Sequence, residues 1–260
     1  MSVEDVVDKL VEYGHELNQK KVKKQVDFVN AEITPEKSPA NKLLLENPFA
    51  FLLGVIYDQG QQAERAWYYP YQLKERIRKL EPKHVATISL QYMDDIFETT
   101  KPLLFYWRMA SVRTLRAAYR VCKYYDGDTS QIWLKDSPSP AKIQQRFEEF
   151  DGIAQKKASM AVNILYRDLG WLSVAYEGLK EIDVSNDRHV RRVFLRSGIL
   201  DTDDEAMLVG RARELFPEYP GALDMPAWII GREFCSNNAP NCIECPISKP
   251  CAKRTQYEVT

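Results

Sequence analysis

The sequence lacks an excess of charge of either sign. Its 36 lysines and arginines are balanced by 37 aspartates and glutamates, which leaves a formal net charge of −1 at pH 7. Overall charge therefore does not indicate a polyanionic partner, and any nucleic-acid-binding face must come from local basic clusters. A solvated helix face is the simpler interpretation of such clusters. The candidates are Lys156 with Lys157, and the arginines Arg188, Arg191, Arg192 and Arg196.

The sequence also lacks a long apolar run and an N-terminal secretion pattern. No stretch is long or apolar enough to span a bilayer, and the first residues do not resemble a signal peptide. These absences predict a protein without a membrane segment that acts inside the cell, in the cytoplasm with the nucleoid or in the nucleus. With 260 residues, 45% of them hydrophobic, the chain can bury the core of one large domain or of two smaller ones.

Alternation of apolar and polar residues, which is typical of strands, is absent. Apolar residues recur at helical spacing instead, so the sequence predicts an all-α protein. The segment Asn47–Ile56 has Pro48 in its first turn and is nearly all apolar, which predicts a helix buried on all sides. A polar cluster, Tyr57–Gln62, ends this helix. The aromatic residues that follow could pack in the core or stack on a base; they are Trp67, Tyr68, Tyr69 and Tyr71.

Two helical patterns meet at a short link between Phe150 and Ala158. The link contains Gly152, which supplies the backbone freedom that a tight turn needs. The pattern predicts a helix–hairpin–helix whose second helix begins near Gln155. The unpaired N–H groups and the positive dipole end of that helix form a site for an anion such as a phosphate.

Lys156 lies in the first turn of the second predicted helix. The helix dipole opposes a positive charge there, and Lys157 beside it adds repulsion between like charges. Both effects lower the pKa of a lysine and favour the free amine, the form that attacks a carbon electrophile. Lys156 is therefore a candidate nucleophile, and a solvated surface lysine is the alternative interpretation.

Four of the five cysteines lie in one segment near the end of the sequence. They follow a C-x6-C-x2-C-x5-C pattern formed by Cys235, Cys242, Cys245 and Cys251. In an intracellular chain, clustered cysteines bind metal far more often than they form disulfides. Four thiolates suit either a structural zinc or an iron–sulfur cluster. Zinc sites usually have two separated close pairs of cysteines, whereas this segment has one.

These features together resemble one family. The hairpin Phe150–Ala158, the downstream Asp187 and the cysteine spacing are similar to those of the helix–hairpin–helix DNA glycosylases of the endonuclease III superfamily. In that family the hairpin reads L-P-G-x-G-x-K-T-A and is followed by V-D-T-H-V-x-R-V. The resemblance extends from Asn47 to Cys251.

The resemblance implies a function and a set of site residues. It implies a monomeric base-excision repair glycosylase that removes a damaged or mismatched base from double-stranded DNA and cuts the strand by β-elimination, an AP lyase activity. Lys156 stands at the Schiff-base lysine and Asp187 at the catalytic aspartate, and the four cysteines match the 4Fe–4S loop. The implied DNA-binding residues are Gln59 or Gln61, which would fill the gap left by the extruded base, and Gly152, Ala154 and Lys157 at the hairpin.

The resemblance also implies two helical domains. Residues 46–180 would form a helical barrel domain with the hairpin, and residues 1–45 plus 181–260 the iron–sulfur cluster domain. Lys156 and Asp187 would face each other across the cleft between them.

Three residues depart from the family pattern. Asp151 replaces the hairpin proline and puts a negative charge near the expected phosphate. Ala154 replaces the second glycine, and Arg188 replaces the threonine after the catalytic aspartate. Two alternatives therefore stay open. One is a monofunctional glycosylase, of a mismatch or adenine type, that does not use Lys156. The other is a non-enzymatic iron–sulfur protein that binds DNA, although the presence of both Lys156 and Asp187 favours an enzyme.

Overall fold

The structure, a computed structural model, describes residues 2–22, 27–99 and 107–256. Within those ranges every regular element is a helix, which confirms the predicted all-α fold class. The α-helices are α1 (Val3–Val22), α2 (Ser38–Glu46), α3 (Pro48–Tyr57), α4 (Ala63–Ile77), α5 (Pro82–Val85), α6 (Leu90–Thr99), α7 (Trp107–Tyr124), α8 (Gln131–Leu134), α9 (Pro140–Glu148), α10 (Gln155–Asn163), α11 (Arg188–Ser197), α12 (Glu205–Leu215) and α13 (Asp224–Glu233). No helix in the described part of the chain is both long and apolar enough to cross a membrane.

The chain folds as two compact units. The hairpin unit comprises Val26–Pro138 and Lys142–Lys157, and the cysteine unit comprises Met1–Gln25, Ser139–Ala141 and Ala158–Thr260. The chain enters the cysteine unit within α10, earlier than the bound predicted at residue 180. The buried side chain of Asn163 contributes to this difference, because its Nδ2 donates a 2.8 Å hydrogen bond to the carbonyl of Asp183.

Helix α3 runs through the core of the hairpin unit. Asn47 caps it, since the side-chain oxygen accepts hydrogen bonds from two backbone N–H groups of the first turn, at 2.9 and 3.0 Å. The whole segment Phe49–Tyr57 is buried, as its apolar sequence predicts. A Cβ atom added at Gly54 would lie 2.4 Å from the ring of Trp67, so glycine is what lets α3 and α4 approach this closely.

The aromatic residues at the start of α4 divide between the core and the surface. Trp67 and Tyr69 are buried, and the Trp67 ring stacks on Phe28 with the ring centroids 4.9 Å apart. Tyr68 and Tyr71 are half-buried. Of the two roles left open by the sequence, the structure favours core packing for Trp67 and Tyr69 because their rings are enclosed.

The cysteine unit has a core of its own. Helices α1, α11 and α13 contribute to it, and Leu10, Phe194 and Ile230 are almost fully buried there. Gly198 caps the C-terminus of α11 and adopts φ +90°, a left-handed conformation that glycine accepts readily. The cysteine-rich segment packs against this core through Ile247.

Candidate functional site

The predicted hairpin is present between α9 and α10. A hydrogen bond from the backbone N–H of Ile153 to the carbonyl of Phe150, 3.0 Å long, closes the turn. Gly152 adopts φ +87°, and a Cβ atom at this position would lie 2.7 Å from the guanidinium carbon of Arg113. Glycine is therefore required for the backbone conformation, and a side chain at this position would also displace the guanidinium of Arg113. Helix α10 begins at Gln155, as predicted.

Arg113 on α7 links the hairpin to the loop after α3. Its guanidinium packs against Gly152, and its Nη1 donates a hydrogen bond to Oε1 of Gln59 at 2.8 Å. Two residues that the resemblance assigned to DNA binding therefore meet at one arginine. Arg113 is not among the site residues predicted from the sequence. The signal that could have found it is a series of basic residues at helical spacing on α7: Arg113, Arg116, Arg120 and Lys123.

The structure separates the two candidate glutamines. Gln59 is exposed, and its side-chain oxygen accepts the hydrogen bond from Arg113. Gln61 is partly buried, donates from Nε2 to the carbonyl of Tyr57 at 3.1 Å and accepts from the hydroxyl of Tyr69 at 3.3 Å. Gln61 is therefore engaged in the internal structure of the loop, whereas the side chain of Gln59 lies at its surface.

Lys156 and Ala154 lie at the start of α10. Ala154 is exposed just before the first helical residue, and Lys156 is half-buried in the first turn. This is the position in which the helix dipole opposes a charged amine. Lys156 thus lies in the first turn of a helix, as the sequence predicts, and its role as a nucleophile stays a prediction.

Lys157 is buried, with 7% of its surface exposed. Its Nζ donates a 2.7 Å hydrogen bond to the carbonyl of Ile56 in the last turn of α3. Burial is the main reason that the pKa of Lys157 falls to about 8; Asp58 opposes the change, and Arg113 and Lys156 add to it. The amine of Lys157, which the resemblance assigned to DNA binding, is therefore directed into the hairpin unit, where it donates to a helix carbonyl.

Asp187 caps α11 in the cysteine unit. Its Oδ1 accepts a hydrogen bond from the backbone N–H of His189 at 2.7 Å, and 5% of the residue is exposed. Asp187 is therefore the N-cap residue of α11. Capping fixes the orientation of the carboxylate.

A second buried carboxylate supports the segment that leads into Asp187. Asp224, at the start of α13, accepts hydrogen bonds from the backbone N–H and the hydroxyl of Ser185, at 2.6 and 2.5 Å. Burial raises the pKa of Asp224, and the bonds from Ser185 oppose that rise. Asp224 thus holds in place the chain just before Asp187.

Three of the four arginines considered as a local basic face are buried. Arg191, Arg192 and Arg196 are 8, 4 and 1% exposed, so they form neither a nucleic-acid face nor a solvated one. Arg192 donates from Nε to the carbonyl of Cys235 at 2.5 Å, and Arg196 donates to the two carbonyls that follow, at 2.7 and 3.0 Å. These arginines are buried because the carbonyls of this irregular segment are not paired within a helix, and a buried guanidinium supplies several donors to them.

One cavity in the cysteine unit is lined by all four clustered cysteines. Apolar side chains surround them, among them Ile230 and Ile247. Burial raises the pKa of Cys245 to about 11 and also raises that of Cys251, and repulsion from neighbouring cysteines adds to both shifts. Thiols in such a site lose their protons when a metal centre supplies positive charge.

Four cysteine sulfurs line this cavity, and four thiolates suit either an iron–sulfur cluster or one zinc ion. Across the described ranges, no three His, Cys, Asp or Glu side chains are grouped closely enough to hold a metal ion. Two N–H groups also point at sulfurs. The backbone of Lys253 donates to Sγ of Cys251 at 3.3 Å, and Nη1 of Arg196 lies 3.7 Å from Sγ of Cys235.

Comparison with known proteins finds solved structures that are similar at low sequence identity. No protein-family model and no curated protein matches the chain. A trapped endonuclease III–DNA covalent intermediate, an estranged-adenine complex, shares 16% identity at a TM-score of 0.58, covering 85% of this chain and 95% of that one. A non-covalent endonuclease III–DNA complex has the same identity and TM-score, with 85 and 94% coverage. A thermostable thymine-DNA glycosylase shares 12% identity at a TM-score of 0.59, with 96 and 95% coverage.

At these identities the likeness establishes the fold. It covers nearly the whole length of each solved chain, so it is not restricted to the hairpin. The chain therefore has the fold of the endonuclease III-type helix–hairpin–helix DNA glycosylases, in agreement with the resemblance carried by its hairpin, its downstream aspartate and its cysteine spacing.

Proposed function

We propose that the protein is a base-excision repair glycosylase that removes a damaged or mismatched base from double-stranded DNA and then cuts the strand by β-elimination. The observation that carries the proposal is the position of Lys156, directly after a hairpin, at the start of a helix. The fold adds support, because proteins solved as endonuclease III–DNA complexes share it over nearly their whole length.

Lys156 acts as the nucleophile in the proposed reaction. The lone pair of its amine forms a bond to C1′ of the sugar, and the C1′–N bond breaks; the base leaves with that electron pair and takes up a proton. The sugar ring then opens to an imine, and loss of a proton from C2′ expels the 3′ phosphate. The neighbouring charge of Lys156 is one of the causes that lower the pKa of Lys157.

Asp187 stabilises the positive charge that develops on the sugar as the base leaves. A preorganised carboxylate does this well because it needs no reorientation at the moment of reaction. The cap to His189 supplies that orientation, and Asp224 supports the preceding residues through Ser185.

The base must leave the stack before Lys156 can reach its sugar. Gln59 is the better candidate to fill the resulting gap, because it lies at the surface of its loop while Gln61 is engaged internally. The backbone at Gly152 and Ala154 receives a phosphate of the DNA, because the positive dipole end of the helix that follows favours an anion. Lys157 supports this region from inside, through its bond to Ile56.

The four clustered cysteines hold a 4Fe–4S cluster in this proposal. The bound cluster would supply a structural cross-link, because a short irregular segment with Pro240, Pro246 and Pro250 buries little apolar surface. We propose that the protein acts as a monomer on duplex DNA inside the cell, in the cytoplasm with the nucleoid or in the nucleus.

Borohydride trapping tests the reaction. A panel of duplexes, each with one damaged or mismatched base, is incubated with the protein and reduced, so that an imine becomes a stable covalent adduct. We expect an adduct with one duplex class, its loss in Lys156→Ala, and mapping of the adduct to Lys156. Lys142→Ala, an exposed lysine on α9, is the matched control and should trap normally.

Other outcomes would change the proposal in defined ways. Alkali-sensitive sites without an adduct would indicate a monofunctional glycosylase. An adduct that persists in Lys156→Ala and maps to Lys157 would refute the assignment of the nucleophile. Duplex binding with neither signal for any lesion would indicate a DNA-binding protein without this chemistry.

A further inference from the structure

Helix α7 carries a basic face in the hairpin unit, formed by Arg113, Arg116, Arg120 and Lys123. These four residues are spaced by three or four positions, so they lie along one side of the helix. Arg116 and Lys123 are exposed, and Arg113 and Arg120 are half-buried. The opposite side, which includes Ala118, is buried. The basic face of α7 therefore lies at the surface of the unit.

Two exposed tyrosines are interleaved with these cations. Tyr119 is 61% exposed and Tyr124 is 47% exposed. The Nζ of Lys123 lies 5.9 Å from the ring centroid of Tyr119 and 5.2 Å from that of Tyr124, and the guanidinium carbon of Arg120 lies 4.8 Å from that of Tyr124. The rings hold the cationic groups in place, and a surface of cations with exposed aromatics is typical of nucleic-acid binding.

Acidic residues of the hairpin turn pair with this face. Arg116 forms an ion pair with Asp151, and Arg120 forms one with Glu149. A carboxylate presents two oxygens to a guanidinium much as a phosphate does. The pair between Arg116 and Asp151 is exposed. Exposed ion pairs contribute little to folding, so exchanging this carboxylate for another anion has a small energetic penalty.

The pairing of Arg120 is incomplete. Its Nε is buried and has no hydrogen-bond partner among the residues that the structure describes. The guanidinium carbon also lies 5.6 Å from the ring centroid of Phe150, so the side chain is held between the helix and the hairpin. An anion with more acceptor oxygens than Glu149 offers would suit this group better.

We propose that the basic face of α7 binds backbone phosphates of duplex DNA, and that Asp151 and Glu149 occupy the phosphate positions until the DNA displaces them. The inference rests on the proposed function, because it takes duplex DNA as the partner. It also gives a role to Asp151, which the sequence suggested as a negative charge in the path of a phosphate. In the free protein Arg116 neutralises that charge.

The binding constant for an undamaged duplex and its dependence on salt should change in variants of Arg116 and Asp151 by predictable amounts. Each phosphate contact adds about 0.9 to the slope of the logarithm of the binding constant against the logarithm of salt concentration. Arg116→Gln should therefore lower that slope by about 0.9. Asp151→Asn should tighten binding of the duplex by up to about fivefold, because a phosphate can then bind Arg116 without first breaking an exposed ion pair. The tightening should vanish in the double variant Arg116→Gln/Asp151→Asn, because its cause is the release of Arg116.

Fluorescence anisotropy with a labelled undamaged duplex, at several salt concentrations, measures these quantities. The variants are Arg116→Gln, Asp151→Asn and their combination. Lys79→Gln is the control, since Lys79 is an exposed lysine whose 3.0 Å pair with Glu81 lies outside the basic face of α7. It should bind like the wild type. Circular dichroism melts confirm that each variant is folded, and excision is measured in parallel under single-turnover conditions.

The outcomes separate the inference from the proposed function. Wild-type excision together with unchanged salt slopes in Arg116→Gln would overturn the inference alone. Tightening by Asp151→Asn that persists in the double variant would also overturn it, because simple repulsion would then explain the effect. The expected slopes without any excision would support the DNA-binding face and count against the glycosylase.

Discussion

Replacing Lys157 by methionine removes a buried amine and keeps a long apolar side chain. The ordinary pKa of this lysine is 10.5, and burial lowers it to about 8 in the folded protein. At a pH between these two values, the amine of Lys157 is protonated in the unfolded chain and has lost its proton in the folded protein. The free energy of unfolding therefore rises with pH in this window.

The size of the effect follows from the two pKa values. Each pH unit within the window corresponds to about 1.4 kcal/mol, so the full contribution is about 3 kcal/mol. Below about pH 8 the amine is protonated in both states, and the contribution no longer changes with pH. The wild type should accordingly gain about 3 kcal/mol relative to Lys157→Met between about pH 7.5 and 10.5.

Urea unfolding followed by tryptophan fluorescence, repeated across this pH range, measures the difference. Contributions common to wild type and variant cancel when the two are subtracted at each pH. Lys79→Met is the matched control, because Lys79 is exposed and pairs with Glu81 at the surface. Its difference from the wild type should stay flat. A flat difference for Lys157→Met as well would refute the reasoning, since the amine would then titrate in the folded protein as it does in the unfolded chain.

Three further predictions address the hairpin, the cap and the cysteines. Gly152→Ala should destabilise the fold by about 1 kcal/mol or more in thermal melts, because it strains a residue at φ +87° and brings a Cβ atom against the guanidinium of Arg113. Gly210→Ala is the control, because Gly210 lies in a helix with nothing near the added Cβ, and it should be neutral or stabilising. Equal stability of the two variants would contradict this. Asp187→Asn should keep the helix cap yet lose base release in an excision assay, whereas Asp187→Ala should also cost about 1 kcal/mol in urea unfolding; wild-type excision by the asparagine variant would remove Asp187 from the mechanism. Cys245→Ser should reduce the iron and sulfide content and the visible absorbance of the purified protein, while Cys122→Ser on α7 should leave them unchanged; equal iron in both would exclude the cluster from this cavity.

The parts of the protein that depend on neighbours in the chain could be predicted from the sequence. The hairpin around Gly152 follows from a glycine between two helical patterns. The start of α11 follows from an aspartate before Val190, Val193 and Phe194, which recur at helical spacing. The burial of α3 follows from its nearly unbroken apolar composition. Each of these features needs only local backbone preference or hydrophobic periodicity.

Tertiary structure alone decided which charged side chains face water. Lys157 and Arg196 look like surface residues in the sequence, yet each is buried because a carbonyl distant along the chain needs its donors. Arg116 and Asp151 lie in different elements, and only packing of α7 beside the hairpin brings their charges together. Local pattern cannot predict such contacts, since the partner of a polar group is set by which elements pack together and not by its neighbours in the chain.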